Sequence, residues 1–261
     1  MPIESNAPSV PSDKDAILSA PREEGANVLL TANRYDDRDR GRHGAIIEET
    51  SAFRSDVELF YDLHTLAWNA DEEHTLDARD DAAGGDVSYA SSTVPEVTLG
   101  NRFDEPGSTG TLTQRVVASV DTCGLLIETE ADFETVAERT FYTVADLGIH
   151  GHDHEDPNAV QEAFVTERDG AELVVATDGD RWLAIAQDRE GDRGFDGRRI
   201  GHTGVGEGPD RSAWADIYEG NDGFIDDTDR GEGNLDVGVG LYVGETDTAS
   251  WLTGAGFGYG E

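Results

Sequence analysis

Apolar and polar residues alternate along several stretches of this chain with the period of two that is typical of β-strands. The clearest stretch is residues 234–243, where every second residue is apolar over ten positions. Residues 56–68 repeat the alternation, with four apolar side chains on one predicted face, those of Val57, Leu59, Tyr61 and Leu63. A helix would not produce this period, so both stretches are predicted to be strands.

Short turn sequences between alternating runs predict three β-hairpins. Residues 121–124 separate the runs 112–120 and 125–130, and Asp169-Gly170 and Asp178-Gly179 separate shorter runs further along the chain. Asp-Gly between alternating runs is a strong hairpin signal because both residues tolerate the backbone angles of tight turns. Residues 250–258 are predicted to form the last strand.

The remaining pattern favours an all-β fold. Convincing amphipathic helices are scarce, and most of the 31 glycines lie between predicted strands. The sequence therefore predicts a large antiparallel two-sheet β-sandwich of the supersandwich kind, with few short helices. Residues 1–24 are predicted to form a flexible tail with a short helix at residues 13–20, and residues 25–261 a single domain. The Gly- and Asp-rich stretch 188–236 is predicted to form elaborate loops, where function usually lies on a β scaffold.

The charge balance is strongly acidic. The chain has 56 Asp and Glu against 19 Lys and Arg, a formal net charge of −37, and Lys14 is its only lysine. Repulsion at this density opposes a compact fold in dilute buffer, and molar salt removes most of it because the Debye length falls to about 3 Å. The sequence therefore predicts a protein adapted to molar salt, as in a halophilic archaeon. An acidic protein of an ordinary cell, or one with a disordered acidic tail, is the alternative.

The charge also restricts the expected partners and location. Nucleic acids are bound through Lys and Arg that neutralise phosphates, and this chain has no basic stripe, so neither nucleic acid nor an anionic membrane is an expected partner. No apolar run approaches the ~20 residues of a membrane helix, and the N-terminus lacks the features of a secretory signal. A cytoplasmic protein is expected. The lone Cys123 is predicted to be a small buried side chain rather than a nucleophile.

Two kinds of residue cluster have the composition of ion sites. His150, His152 and His154 would converge on a transition metal if their segment is a bent loop, and a polar surface loop is the alternative. The acidic stretches 188–192 and 226–229 resemble calcium loops but do not fit the EF-hand pattern. A structural cation is left open, and no cofactor is expected.

The four tryptophans differ in their sequence context. Trp214 lies in the loop-rich region and is predicted to contact a carbohydrate or a partner, together with Asp210 and Asp216 of the same segment. Paired carboxylates could perform glycoside hydrolysis, but 56 acidic residues select no particular pair, so no catalytic residue is predicted. The other three lie in strand-like runs and are predicted to be core residues: Trp68, Trp182 and Trp251.

A set of segments carries a family resemblance: residues 112–130, 140–148, 171–186, 200–206 with 210–216, 233–240 and 254–258. One of them is AELVVATDGDRWLAIA at residues 171–186. In the same order, these segments resemble the N-terminal β-sandwich domain of prokaryotic glucoamylases and glucodextranases, glycoside hydrolase family 15. The likeness covers residues 95–258, and residues 25–95 more weakly. The chain departs from the family at its tyrosine-rich opening, reduced to residues 34–39, and at the Ser-Asp-Gly-Trp motif, loosened into residues 207–214.

The resemblance implies a sandwich that is not itself catalytic, because the catalytic glutamates of the family belong to a helical toroid that follows the sandwich. It therefore implies a supporting domain of a glucan hydrolase, with a helical catalytic domain and α-glucan as the expected partners. The stretches 150–156 and 204–216 are the loops expected to reach that partner. A stand-alone carbohydrate-binding sandwich is the alternative function, and a complete enzyme that uses two loop carboxylates is a third.

Overall fold

The computed structural model describes residues 16–21, 27–37, 42–52, 58–89, 96–119, 123–149, 161–208, 211–220, 223 and 225–259. In this part of the chain the regular structure consists of fifteen strands and one π-helical turn, Ala215–Glu219. The strands are β1 (Ala16–Pro21), β2 (Asn27–Asp37), β3 (Arg42–Ala52), β4 (Glu58–Asn69), β5 (His74–Asp77), β6 (Gly84–Tyr89), β7 (Glu96–Phe103), β8 (Gly110–Ser119), β9 (Gly124–Leu147), β10 (Gln161–Arg168), β11 (Ala171–Thr177), β12 (Arg181–Asp188), β13 (Gly197–His202), β14 (Arg230–Gly233) and β15 (Leu235–Tyr259). The predicted all-β fold is confirmed.

The strands pair antiparallel and form one continuous sheet that folds over into the two layers of a sandwich. The first layer has the order β6-β7-β8-β9-β15-β12-β11-β10-β14. The second layer has the order β1-β2-β3-β4-β9-β15-β13, with β5 paired beside β4. Two layers follow from the alternating pattern, since each sheet offers an apolar face and these faces bury one another.

β9 and β15 are long enough to belong to both layers. In the first layer, residues 124–132 of β9 pair with β8 on one side and with the second half of β15 on the other. In the second layer, residues 139–147 of β9 pair with β4, and residues 139–146 pair with the first half of β15. Irregular register near Gly244 and Thr246 bends β15 between these halves. The stretches 234–243 and 250–258, which the pattern predicts as two strands, are therefore two halves of one strand.

The main hydrophobic core lies between the layers. Phe60 of β4 and Phe257 of β15 meet there edge to face, with ring centroids 6.0 Å apart. Leu63, Ile127 and Val237 are fully buried in the same cluster. Since these side chains come from both layers, burial of this core stabilises the contact between the layers.

The outer face of the second layer is covered as well, by the described residues between 203 and 229. Ile217 of the π-helical turn packs in one cluster with side chains of β4 and β9, namely Leu66, Trp68, Tyr142 and Val144. A Cβ atom on Gly238 of β15 would lie 2.9 Å from Ile217, so a glycine at this position allows the close approach. The second layer is thus buried on both faces, and the candidate site lies under this covering segment.

The three predicted hairpins are present as β8–β9, β10–β11 and β11–β12. Cys123, Trp68 and Trp251 are buried, as predicted. The expected core position of Trp182 is wrong, because 37% of its surface remains exposed.

The helix expected at residues 13–20 is also wrong where the structure describes the chain. Ala16–Pro21 forms β1, which pairs with β2 over its whole length. The boundary between tail and domain stays a prediction. Among the residues described, no helix is long and apolar enough to cross a membrane, and the cytoplasmic location stays a prediction.

Candidate functional site

Three aspartates stand side by side on the outer face of the second layer. Asp146 of β9 is the register partner of both Asp62 on β4 and Asp236 on β15. Opposing residues of antiparallel strands have Cβ atoms about 4.5–5.5 Å apart, so these carboxyl groups are neighbours. We refer to them as the three-aspartate row.

A β-bulge in β4 places Asp62 in this row. Phe60 pairs with Leu147 and Asp62 with Asp146, so β4 has one more residue than β9 over this interval. Strict alternation would direct Asp62 to the same side as Phe60, into the core. The additional residue, Tyr61, shifts the alternation, and Asp62 reaches the outer face beside Asp146.

His64 lies two residues beyond Asp62 and is 1% exposed. Its Nε2 atom is 3.4 Å from Oδ2 of Asp77, and its Nδ1 atom is 3.6 Å from Oδ1 of Asp62. Neither contact has hydrogen-bond geometry among the described residues, so the attraction is mainly between charges. Burial alone would lower the pKa of His64, but the charge of Asp77, supported by Asp62, outweighs it and raises that pKa to about 9. His64 is therefore a buried cation at neutral pH.

Asp77 is the buried counter-charge of this histidine. Its Oδ2 atom accepts a hydrogen bond of 2.7 Å from the indole Nε1 of Trp214, and its Oδ1 atom accepts one of 2.7 Å from the backbone N–H of Arg79. Burial would raise the pKa of Asp77, but His64, Arg79 and the Trp214 hydrogen bond lower it to about 2. The carboxylate is therefore ionised at any pH near neutrality.

Arg79 joins the three-aspartate row to the covering segment. Its Nη1 atom is 3.1 Å from Oδ2 of Asp62, and its guanidinium lies 5.6 Å from the centroid of the Trp214 ring. Trp214 in turn stacks on Tyr218, with centroids 5.0 Å apart. Burial would raise the pKa of Asp62, but His64 and Arg79 together lower it below its ordinary value. Asp62 is therefore the charged member of the row.

Asp146, at the centre of the row, has the opposite tendency. Burial and the neighbouring charge of Asp62 raise its pKa to about 7, although the hydroxyl of Thr203 donates a 2.8 Å hydrogen bond to it. Burial also raises the pKa of Asp236, whose oxygens accept hydrogen bonds from the backbone N–H groups of Ala213 and Trp214. Repulsion between neighbouring carboxylates makes it unfavourable for all three groups to ionise, so the row retains a proton up to near-neutral pH.

These groups surround a cavity of about 230 Å³, the outer-face cavity. The second layer and Arg79 form one side, and residues 203–206 with the start of the π-helical turn form the other. Its lining residues are Asp62, His64, Arg79, Val144, Asp146, Thr203, Gly204, Val205, Gly206, Ser212, Trp214, Ala215, Glu219 and Asp236.

The residues predicted from sequence have different positions. Trp214 lines the outer-face cavity. Asp216 is 1% exposed and does not line it; its carboxylate accepts hydrogen bonds from Nε of Arg211, at 2.6 Å, and from the backbone N–H of Asp226, at 2.7 Å. Asp210 lies outside the described residues. The contact role of these three residues stays a prediction.

The candidate metal ligands His150, His152 and His154 also lie outside the described residues. The two acidic stretches are engaged in other contacts: Asp188 binds Arg193 and the Gly191 N–H, and Arg198 contacts Asp229. In the described ranges, no group of three or more His, Cys, Asp or Glu side chains has a geometry that could hold a metal ion.

Sequence reasoning missed most of the cavity, including the three-aspartate row, His64 and Arg79, and it also missed Asp77 behind them. A usable signal was present, because Asp62, His64, Asp146 and Asp236 interrupt or border apolar strand runs. Charged residues inside such runs are rarely buried unless they are paired. Their pairing could not be found without the register of three strands that are distant in sequence.

Comparison with known proteins finds this fold in solved structures. No protein-family model matches the chain, and no curated protein sequence matches it. Among solved structures, a bacterial glucoamylase complexed with acarbose superposes with a TM-score of 0.69 at 17% identity, over 96% of this chain and 34% of that one. The chain thus spans about a third of the length of the glucoamylase. At this identity the likeness establishes a shared fold.

A second solved structure has a comparable fold as a whole protein. Slr1438 from Synechocystis sp. PCC 6803 superposes with a TM-score of 0.52 at 8% identity, over 95% of this chain and 98% of that one. This sandwich fold therefore accounts for part of a larger enzyme in one case and for nearly an entire chain in the other.

Proposed function

We propose that this chain is the non-catalytic sandwich domain of a salt-adapted glucan hydrolase of the glucoamylase and glucodextranase type, where it packs on and supports a separate helical catalytic domain. The observation that carries the proposal is the superposition of 96% of this chain on 34% of a bacterial glucoamylase. The remaining two thirds of that enzyme have no counterpart in the superposition. The order of the family-15-like segments in the sequence supports the same relationship.

The charges of the outer-face cavity agree with a role other than hydrolysis. Asp62 is engaged by Arg79 at 3.1 Å and by His64 at 3.6 Å. Asp236 is engaged by two backbone N–H groups. A hydrolytic carboxylate has to be free to reach the anomeric carbon or a water molecule, and these two are held by the protein.

The proposal is tested by co-expression with the family-15-type helical domain encoded nearest to this gene, followed by size-exclusion chromatography in about 2 M KCl. We expect one complex of both chains and a higher melting temperature for the helical domain. We expect the isolated chain to release no glucose from maltodextrin. Two independent monomers would overturn the supporting role, and glucose release would overturn the non-catalytic one.

The loops near Trp214 are proposed to contribute to this docking. Trp214→Ala is expected to weaken the complex, and Trp182→Ala, on the other layer, is the matched control. If both variants have the same dissociation constant for the helical domain, Trp214 does not contribute to docking.

A stand-alone carbohydrate-binding protein is the second candidate function. It is favoured by the superposition on Slr1438 over 98% of that chain, because a fold of this kind can make up nearly a whole protein. It predicts affinity for maltodextrin or dextran in molar salt without any second chain.

A further inference from the structure

The outer-face cavity has room for one small molecule. Its volume of about 230 Å³ lies below the ~300–1,000 Å³ that is usual for pockets that take drug-sized ligands. Its base is formed by strands and its opposite wall by residues tied to those strands, notably Trp214 through Asp77. A site of this size and rigidity suits a single ring rather than a chain of linked units.

The charges of the lining balance one another. The cations His64 and Arg79 are neutralised within the protein by the carboxylates of Asp62, Asp77 and Asp80. Asp146 is neutral below a pH of about 7. Glu219 remains as an exposed carboxylate at the cavity. An anionic ligand would be repelled by Asp62 and Glu219 and a cationic one by His64 and Arg79, so an uncharged ligand is favoured.

The cavity lining nevertheless contains both hydrogen-bond donors and hydrogen-bond acceptors. Carboxyl oxygens of Asp62 and Asp236 accept hydrogen bonds, whereas the Arg79 guanidinium and the protonated Asp146 donate them. The Ser212 oxygen accepts the backbone N–H of Ala215, which leaves its hydroxyl hydrogen to donate. A ligand that satisfies such a lining needs several groups that can both donate and accept, and hydroxyl groups are the simplest groups that do so.

Two features indicate that the lining is built for a ligand. Three carboxyl groups from three different strands, those of Asp62, Asp146 and Asp236, line one side of the cavity, although buried polar groups are costly unless they are hydrogen-bonded. Apolar surface of Val144, Val205 and Trp214 lies beside the polar groups. Sugars present the same mixture, because their hydroxyl groups surround a ring that carries C–H surface.

We infer that the outer-face cavity binds one neutral hexose ring, with Asp62, Arg79, Asp146 and Asp236 hydrogen-bonded to its hydroxyl groups and Trp214 and Val144 against its C–H surface. This site lies beyond the proposed supporting role and does not depend on it. It would supply the binding site that the second candidate function requires.

Binding is measured by saturation-transfer NMR with D-glucose in about 2 M KCl near pH 6. We expect saturable binding of D-glucose, with a dissociation constant of order 1 mM. Glucuronate is expected to bind at least about tenfold more weakly, because its carboxylate meets Asp62 and Glu219. Binding of myo-inositol without D-glucose would overturn the hexose assignment, and no saturable binding of either ring would overturn the site.

The location is tested by closing the cavity with a tryptophan. Gly206 lines the cavity, and a Cβ atom there would meet only Oε2 of Glu219, at 3.5 Å. G206W is expected to weaken D-glucose binding at least about tenfold. G256W is the matched control, because a Cβ atom on Gly256 of β15 has nothing within 4 Å and Gly256 is not part of the cavity lining. Unchanged binding in G206W would place the sugar elsewhere and overturn the inference.

A third variant, T203V, keeps the test decisive if G206W does not fold. It removes the hydroxyl group that donates a hydrogen bond to Asp146. We expect D-glucose to bind severalfold more weakly to T203V, with little change in melting temperature, and an unchanged affinity would contradict the site. These measurements use the chain alone, so their failure would leave co-purification with a helical domain unaffected. Failure of that co-purification would equally leave sugar binding in place.

Discussion

The indole nitrogen of Trp214 donates a 2.7 Å hydrogen bond to Oδ2 of Asp77, a residue 137 positions earlier in the chain. Asp77 ends β5 and is fully buried, whereas Trp214 directly precedes the π-helical turn of the covering segment. The Asp77 carboxylate therefore holds the covering segment to the second layer, together with Asp236, while it also neutralises His64. The stability of the layer and the shape of the outer-face cavity depend on the same group.

Replacement of Asp77 is expected to be strongly destabilising. Asp77→Asn would remove one of the two carboxylates that His64 and Arg79 share and leave Asp62 as the other. Removal of one partner from a buried pair typically costs about 3 kcal/mol or more. Urea unfolding in about 2 M KCl measures the loss. Asp229→Asn is the control, since its carboxylate forms a mostly exposed pair with Arg198 and should cost less than about 1 kcal/mol. Equal stabilities of the two variants would contradict the structural role of Asp77.

The free energy of unfolding should fall as pH rises from 6.5 to about 9, because of His64. Below 6.5 this histidine is protonated in both the native and the unfolded chain, and its ion pair contributes fully. Between 6.5 and about 9 the unfolded chain loses the proton while the native state keeps it, so that contribution is lost. His64→Gln should flatten this part of the pH profile, whereas His74→Gln should leave it unchanged. A wild-type slope that persists in His64→Gln would rule out His64 as its source.

Asp146 should produce a pH dependence at lower pH. Below its usual pKa of 3.8 the carboxyl group is protonated in both states, whereas between 3.8 and about 7 only the unfolded chain ionises, so native stability falls as pH rises. Asp146→Asn keeps an acceptor for Thr203 and removes the ionisable group. The variant should match the wild type near pH 4 and exceed it near pH 8 by up to a few kcal/mol. A variant that is less stable than the wild type near pH 8 would show that burial of this acid is not unfavourable.

The sequence predicted the strands better than their partners. The alternation in β15 is visible in the sequence because every second residue is apolar, and these residues, Leu235, Val237, Val239 and Leu241, are buried. The two Asp-Gly turns locate two of the hairpins. The bulge at Tyr61 leaves no local signal, because every residue around it is compatible with an unbroken strand. The three-aspartate row depends on that bulge and on register between strands distant in sequence. Local pattern therefore predicted the fold class, whereas the cavity required tertiary structure.

The same limit applies to Trp182. Its run alternates as a core strand would, yet its neighbours on that face are small, with Gly258 as its register partner. A face lined by glycines offers little side-chain contact, so the tryptophan keeps 37% of its surface exposed. Period two predicts which residues share a face, but not whether that face is covered.

Arg139 should be replaceable by an apolar side chain. It is 1% exposed, and its guanidinium lies 3.9 Å from the Phe133 ring centroid. Nη2 donates to the carbonyl of Thr135, while Nε and Nη1 have no hydrogen-bond partner among the described residues. Burial lowers the pKa of this arginine. Arg139→Met is therefore expected to be neutral or to stabilise the protein by about 1 kcal/mol, with the exposed Arg102→Met as control. Thermal unfolding decides, and a loss of several kcal/mol would mean that the cation itself is required.

Salt should control the stability of the whole chain. With a net charge of −37, the melting temperature is expected to rise steeply between about 0.1 M and about 2 M KCl as screening removes repulsion between surface acids. Circular dichroism at several KCl concentrations measures this, and sucrose at equal osmolarity controls for excluded-volume effects. The same melting temperature at both KCl concentrations would remove the main argument for adaptation to molar salt.

The passage of β9 and β15 through both layers has a consequence for how the protein opens. The two strands pair with each other from residue 124 to residue 146 of β9, with two irregularities of register at the bend, near Gly244 and near Thr246. Neither layer can separate from the other without breaking hydrogen bonds in the two strands that both layers share. The sandwich should therefore lose its structure in one cooperative transition, with its slowest-exchanging amides distributed along the full length of these two strands rather than confined to one layer.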